Sequence, residues 1–446
     1  LAVILLAQTV LAQTTGDYRS VINGNWGTIG TWEIFNGTGW VAATAVPPIV
    51  PPYANITIQA GDTVIVEVSP KRAANLKVEG AALLYTNQSG TNRYIRIFGN
   101  VTNDGVIGST TDGLCLGCST SVAINGMGTM DIARLQIMAA NVSVTISCPI
   151  TLHYAGAGLY GNNVDNVTYN VIEPSGQVTF GTSTYAGITT SSSGPSPYNA
   201  TYNLDCGGFR FQPGMNFNIS VRSGKKSTLN ISGGLSLGDT LFAYSDSAGT
   251  EVVNINEGGG IATNGPFSDT LRFDSLNINC FGDYWPPCPG IIKGGLGLFN
   301  GICQNYPVQN LVISKNATIN RGLGVLYAKP IFIDTFNLIY SGTAPCTTSY
   351  EMPRIEDNIV ANLTVDHELI VDTSRIVNNV TANGGPIVSP NGYFGVLGSF
   401  NKNSTDGYVT GYMGRYVSVW GAGQDVSFIV GTSEGYTPAT VHFNNV

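Results

Sequence analysis

Leu229-Asn230-Ile231-Ser232 returns, with small changes, as Val253-Asn254-Ile255-Asn256, Leu276-Asn277-Ile278-Asn279, Leu311-Val312-Ile313-Ser314, Phe336-Asn337-Leu338-Ile339 and Leu363-Thr364-Val365-Asp366. Successive starts lie 24, 23, 35, 25 and 27 residues apart, a period of about 25. Most copies place apolar side chains at alternate positions, the two-residue period of a strand with one face buried. Gly or Asn usually follows within a few residues, so each copy reads as a short strand that ends in a turn.

A single rung of this kind cannot bury its own apolar face, and it becomes stable only where successive rungs stack on a shared core. The phrase therefore predicts an all-β chain built as a β-solenoid (β-helix). The one long interval holds Cys280, Cys288 and Cys303 and reads as a loop inserted into one rung and stapled by a disulfide.

Composition agrees with a β fold. Of 446 residues only 11% are charged, against about a quarter in an average domain, and amphipathic helical register is scarce. The net charge of −8 and scattered Lys and Arg, with no run longer than Lys225-Lys226, argue against a nucleic-acid partner. His153, His367 and His442 are dispersed and have no companion ligands, so neither a metal nor a cofactor is expected.

Four regions follow along the chain. Residues 1–14 are an apolar N-terminal strand or signal remnant, and 15–52 a cap containing Trp26, Trp32 and Trp40. The solenoid occupies 53–390, with early turn glycines at Gly61, Gly80 and Gly99 implying shorter first coils. Residues 391–446 read as hairpin strands of a small β-sandwich-like C-terminal domain, from Gly407–Gly411 and Arg415–Val419 to Val426–Val441.

The segment from Leu1 to Gln13 is uncharged and too short for a transmembrane helix. It reads as the h-region and cleavage site of a secretory signal. Retained, it would be a sticky strand presenting Leu1, Val3, Ile4, Leu5, Leu6, Val10 and Leu11. An open sheet edge or groove on a neighbouring copy would cover such a strand by strand donation; the alternative is that the strand caps its own solenoid.

The eight cysteines, Cys115, Cys118, Cys148, Cys206, Cys280, Cys288, Cys303 and Cys346, form an even set outside zinc-finger spacing. They read as up to four disulfides in an oxidising compartment. Cys115-Leu-Gly-Cys118 lacks a thioredoxin-like context and reads as a structural bridge.

Ala12-Gln13-Thr14-Thr15-Gly16-Asp17-Tyr18-Arg19-Ser20, Gly24-Asn25-Trp26, Gly30-Thr31-Trp32-Glu33 and Ala60-Gly61-Asp62-Thr63-Val64 resemble the start of the adhesin-like β-helical repeats of Bacteroidetes surface proteins exported by the type IX secretion system. Gly407 to Val441 resembles the β-domain that commonly follows. The resemblance spans essentially the whole chain and implies architecture and an extracellular, cell-surface location more than an activity. It also implies O-glycosylation at Asp-Ser/Thr acceptors, here Thr63, Thr240, Ser247, Thr270 and Ser275. Thirteen N-x-S/T sequons, at Asn36, Asn55, Asn87, Asn100, Asn141, Asn166, Asn199, Asn218, Asn230, Asn316, Asn362, Asn379 and Asn403, are the N-linked alternative.

Two acidic sets are candidates for the paired carboxylates of a polysaccharide lyase or hydrolase: Glu351, Glu356 and Asp357 near Arg354, and Asp366, Glu368 and Asp372 around His367. Neither has a recognisable spacing, and no catalytic residue is assigned. Asn230, Asn254 and Asn277 fall in step and read as a structural amide ladder rather than a binding row. The expected function is a non-enzymatic extracellular structural subunit of a surface filament or matrix, a homopolymer assembling head to tail. The alternatives are a monomeric adhesin stalk binding surface glycans, and a β-helix carbohydrate enzyme.

Overall fold

Inward-facing Ile56, Leu76, Val101, Ile124, Ile146 and Val171 stand in register, each from a different parallel strand and each at most 1% exposed. This column is what the alternating sequence builds when rungs stack. In the computed structural model the described residues are 13–87, 93–109, 113–153, 158–161, 164–172, 176–180, 185–187, 198–205, 208–211, 216–219, 221–237, 240–243, 249–256, 260–263, 271–278, 290–298, 302–303, 311–326, 329–354, 360–391, 394–403, 409–411, 417–420 and 441–444. They contain strands, turns and one short 3-10 turn, Ile29–Thr31, and no α-helix. The architecture is a β-solenoid, and the chain divides into two compact units, residues 1–183 and 184–446.

In the first unit each circuit of the chain visits three parallel sheets in turn. Ile56–Ile58, Leu76–Val78, Val101–Asn103, Val122–Asn125, Ser143–Ile146 and Val167–Ile172 form the first. Thr63–Ile65, Leu83–Tyr85, Val106–Gly108, Thr129–Ile132, Pro149–Leu152 and Gln177–Phe180 form the second. Lys71–Ala73, Arg93–Ile97, Leu114–Cys118, Arg134–Ile137 and Leu159–Gly161 make a third, five-stranded sheet. Burying each Val, Leu or Ile of these columns contributes about 1.5–3 kcal/mol, and no rung does so without its neighbours.

Turns between sheets are tight. Gly126 has φ +113°, and a Cβ there would stand 2.1 Å from Asn103 O, so only glycine lets this corner pack on the one below. Gly61, Gly80 and Gly99 do not share a corner. Gly61 and Gly80 follow first-sheet strands, whereas Gly99 precedes one, so their equal spacing does not measure coil length. The left-handed position occupied by Gly61 is held in the next rung by Ala81, φ +62°.

The start of this unit is antiparallel. Tyr18–Ser20 pairs with Trp32–Phe35, which pairs with Trp40–Ala42, and Tyr18 also lies parallel to Ile56 of the first rung. Trp26 and Trp32 are each 1% exposed and meet edge to face at 5.3 Å, and Trp32 Nε1 donates to Trp26 O at 2.9 Å. Among the described residues the outer edge of Trp40–Ala42 has no strand beside it.

In the second unit the main column runs through Tyr202, Leu229, Val253, Leu276, Leu296, Ile319, Leu338, Leu363, Val380 and Phe400. This corrects one reading of the repeat. Leu311–Ile313 stacks on Gly290–Ile292 in a neighbouring column, and the rung after Leu276 is Gly290–Leu298. The long interval therefore contains a whole rung whose glycines hid the phrase. The expected loop cysteines Cys280 and Cys288 lie outside the described residues.

The C-terminal hairpins are replaced by rungs wherever strands are described. Val409–Gly411 lies parallel to Ile387–Ser389, Val417–Trp420 pairs in parallel at Val396, and Val441–Asn444 runs parallel to Val417–Trp420. Residues 421–440 lie outside the described set.

Candidate functional site

Arg321, Tyr340 and Glu351 meet inside the second unit because Arg321 and Tyr340 occupy one inward position on adjacent rungs. Glu351 is fully buried. Its Oε1 takes an ion pair from Arg321 Nη1, a hydrogen bond from Tyr340 OH at 2.9 Å and another from Ser349 N at 2.9 Å. Burial works against the Arg321 charge, but Glu351, Tyr340 and Cys346 together outweigh it and hold the guanidinium above its ordinary pKa. Burial, reinforced by Glu351, pushes the Tyr340 hydroxyl well above its usual range. The Cys346 thiol beside them is pushed up to about 11, mainly by burial.

Ser349 carries this cluster outward to a cavity of about 390 Å³, lined by Lys329, Thr348, Ser349, Tyr350, Met352, Pro353, Arg354, Asp372 and Arg375. The volume falls in the range of small-molecule sites, about 300–1,000 Å³. Thr348 follows the short strand Cys346–Thr347, and Arg375 opens the strand Arg375–Ala382 on its inward side. Arg375 Nη2 donates to Asp372 Oδ1 at 2.8 Å. Asp372 is fixed from its other side by Thr348, whose hydroxyl donates to Oδ1 and accepts from Asp372 N. Arg375 is 3% exposed, and its Nε and Nη1 have no hydrogen-bond partner.

The structure thus joins parts of the two acidic sets. Arg354 and Asp372 line one cavity with Glu351 sealed behind it, while Glu356 and Asp357 lie outside the described residues. Asp366 is elsewhere, accepting from Asn383 Nδ2 at 2.7 Å in a rung-to-rung contact. His367 Nδ1 and Glu368 O are 3.0 Å apart in the same turn. Lys329, Thr348, Ser349, Tyr350 and Arg375 were not singled out by the sequence. The available signal was parity: Arg321 and Arg375 fall where a strand's inward pattern calls for Val or Ile. Among the described residues no group of His, Cys, Asp and Glu could hold a metal ion, and no helix is long and apolar enough to cross a membrane.

The expected cysteine staples are not formed among the described residues, where Cys115, Cys118, Cys148 and Cys346 are buried thiols. Cys115 and Cys118 sit three apart on one strand, Leu114–Cys118, and so project from opposite faces, which no disulfide can bridge. Cys118 packs inward in register with Ile97 and Ile137, and burial pushes its thiol up to about 12, as it does that of Cys148. Cys206 lies outside the described residues with Cys280 and Cys288, and the side chain of Cys303 is likewise not described.

Of the sequons, Asn36, Asn87, Asn100, Asn141, Asn166, Asn316, Asn362 and Asn403 are exposed, while Asn55, Asn199, Asn230 and Asn379 are half-buried. Several amides are engaged along the stack. Asn230 Nδ2 donates to Asn203, Asn254 to Asn230 and Asn277 to Asn254, at 2.7, 2.6 and 2.7 Å. Asn362 and Asn379 continue a second ladder from Asn337. Thr63 and Ser275 are half-buried on strands. Ser247, Thr270 and the side chains of Thr240 and Asn218 lie outside the description, as do Leu1, Val3, Ile4, Leu5, Leu6, Val10 and Leu11.

No protein-family model matches this chain, and no curated protein or solved structure does either.

Proposed function

We propose that the chain is an extracellular structural subunit of a cell surface, akin to the secreted Bacteroidetes surface proteins, whose copies associate head to tail. The observation that supports association is the edge at Trp40–Ala42. It is paired on one side only among the described residues, with Val41 and Ala42 exposed. Bonds from Asn36 N to Gly39 O and from Ala43 N to Trp32 O set the alternation of this antiparallel pair and direct the Ala42 N–H toward the open edge. An open, uncharged edge is a template for a further strand, and the apolar segment 1–13 has the composition to supply it from a neighbour. A donor and an acceptor on different surfaces make a heterologous contact, which repeats into a filament.

Light scattering on three proteins tests this reading: the full chain, a deletion of residues 1–13, and Ala42→Pro, which removes only the outward donor. The full chain should grow in mass with concentration while both variants stay monomeric with unchanged circular dichroism. A full chain that stays monomeric, or variants that still polymerise, would remove the proposal.

A further inference from the structure

We infer that Arg72 and Arg96, on the outer face of the third sheet of the first unit, form a receptor for a phosphate group, free or as a monoester, a ligand separate from self-association. The two residues pair in register on the adjacent strands Lys71–Ala73 and Arg93–Ile97. Lys71, Ala73, Ile95 and Ile97 are buried, so strand alternation turns both arginines outward. Paired positions on neighbouring strands stand about 4.8 Å apart, and like charges placed opposite one another are destabilising.

The chain does not relieve that repulsion. None of the five strands of the sheet contains Asp or Glu. Among the described residues Arg72 bonds to Tyr53 alone, and Arg96 makes no hydrogen bond or ion pair. Elsewhere in the unit a carboxylate takes up such a charge, as Glu33 does for Arg19 at 2.6 Å, Glu67 for Lys71 at 3.3 Å and Glu79 for Lys77 at 3.0 Å. Arg93 and Arg134 of the same sheet have engagements of their own and are not part of the site.

The pair is held ready and within reach. Arg72 Nη1 donates to Tyr53 OH at 2.8 Å, and its guanidinium lies 5.5 Å from the Tyr53 ring centre. Tyr53 in turn stacks on Phe98 at 4.1 Å, which fixes Arg72 before a ligand arrives and lowers the ordering cost of binding. Nε of each arginine is sealed from solvent, whereas Arg72 Nη2 and Arg96 Nη1 and Nη2 are neither sealed nor bonded.

Phosphate matches this set in charge and in acceptors. A phosphate monoester carries about −1.5 to −2 at pH 7 and three strong acceptor oxygens, against two positive charges and three available nitrogens. A carboxylate brings a single charge and is satisfied by one guanidinium fork. A neutral sugar brings no charge.

Isothermal titration of the full chain at low salt with glucose 6-phosphate, phosphoserine, inorganic phosphate, glucose 6-sulfate, acetate and glucose tests the inference. At least one phosphate ligand should bind about tenfold or more tighter than glucose 6-sulfate, acetate or glucose, the margin of an added charge-assisted contact. Its affinity should be higher at about pH 7.5 than at about pH 5, on either side of the second phosphate pKa of about 6. Esters tighter than inorganic phosphate identify a phosphorylated molecule as the source, and the reverse identifies free phosphate. Arg72→Ala and Arg96→Ala should each weaken binding about tenfold with unchanged circular dichroism, and Arg96→Lys should recover only part, because an ammonium lacks the fork. Lys77→Ala, which removes a charge already paired with Glu79, should leave binding unchanged. Glucose 6-sulfate or acetate binding as tightly as every phosphate ligand, a loss as large in Lys77→Ala as in the arginine variants, affinity unchanged in both arginine variants, or no binding at all would overturn it.

Discussion

Asn254 donates from Nδ2 to Asn230 Oδ1 at 2.6 Å, one rung away. It accepts in turn from Asn277 at 2.7 Å, so each amide is donor to one neighbour and acceptor from the other. Such a ladder satisfies half-buried polar groups without water and fixes the stagger of successive strands. Replacing Asn254 by Ala leaves Asn230 Oδ1 and Asn277 Nδ2 without their partners. The expected loss is about 1–3 kcal/mol in denaturant unfolding. Asn403→Ala, at an exposed ladder position, should cost less than about 1 kcal/mol; equal losses at the two positions would contradict a role for the buried ladder.

How the repeat was legible follows from the same rungs. Leu229, Val253, Leu276 and Leu363 announce themselves because a Leu or Val followed by a polar residue and a further aliphatic is the period-two pattern itself. Gly290–Leu298 was hidden because Gly294, Gly295 and Gly297 replace patterned side chains, although its backbone pairs in parallel with Leu271–Ile278 on both sides of one register shift between Phe273 and Ser275. Leu311–Ile313 misled because composition does not say which column a strand joins. The cavity was least legible: Lys329, Thr348 and Arg375 meet only after the chain has completed further circuits.

The buried pair of Arg321 and Glu351 makes a second prediction. Glu351→Ala should destabilise by about 3–5 kcal/mol, because it leaves a buried guanidinium without its counter-charge. The double change Arg321→Met with Glu351→Leu should lose less than the single one. A double variant less stable than Glu351→Ala would mean that the pair stabilises beyond its desolvation cost.

Alkaline pH should destabilise the fold through its thiols. Cys118 and Cys148 are held up to about 12 in the folded chain against 9.0 for an unperturbed thiol. Between those values the unfolded chain binds fewer protons than the folded one, so stability is full below pH 9 and falls as pH rises toward 12. Cys118→Val should flatten the slope. A stability curve level across this window, or one unchanged by Cys118→Val, would contradict it.

The same residues should be silent to a thiol reagent until the chain unfolds. Peptide mapping should find Cys115, Cys118, Cys148 and Cys346 unlabelled in buffer, and after denaturation without reductant the protein should yield at least these four thiols. Fewer than four would show that these cysteines are paired.

Electron microscopy of the purified full chain, imaged across a concentration series, tests the central claim most directly. The account predicts threads of uniform width that lengthen with concentration and are lost in Ala42→Pro. Separate single particles at every concentration, for the full chain as for the variant, would contradict it.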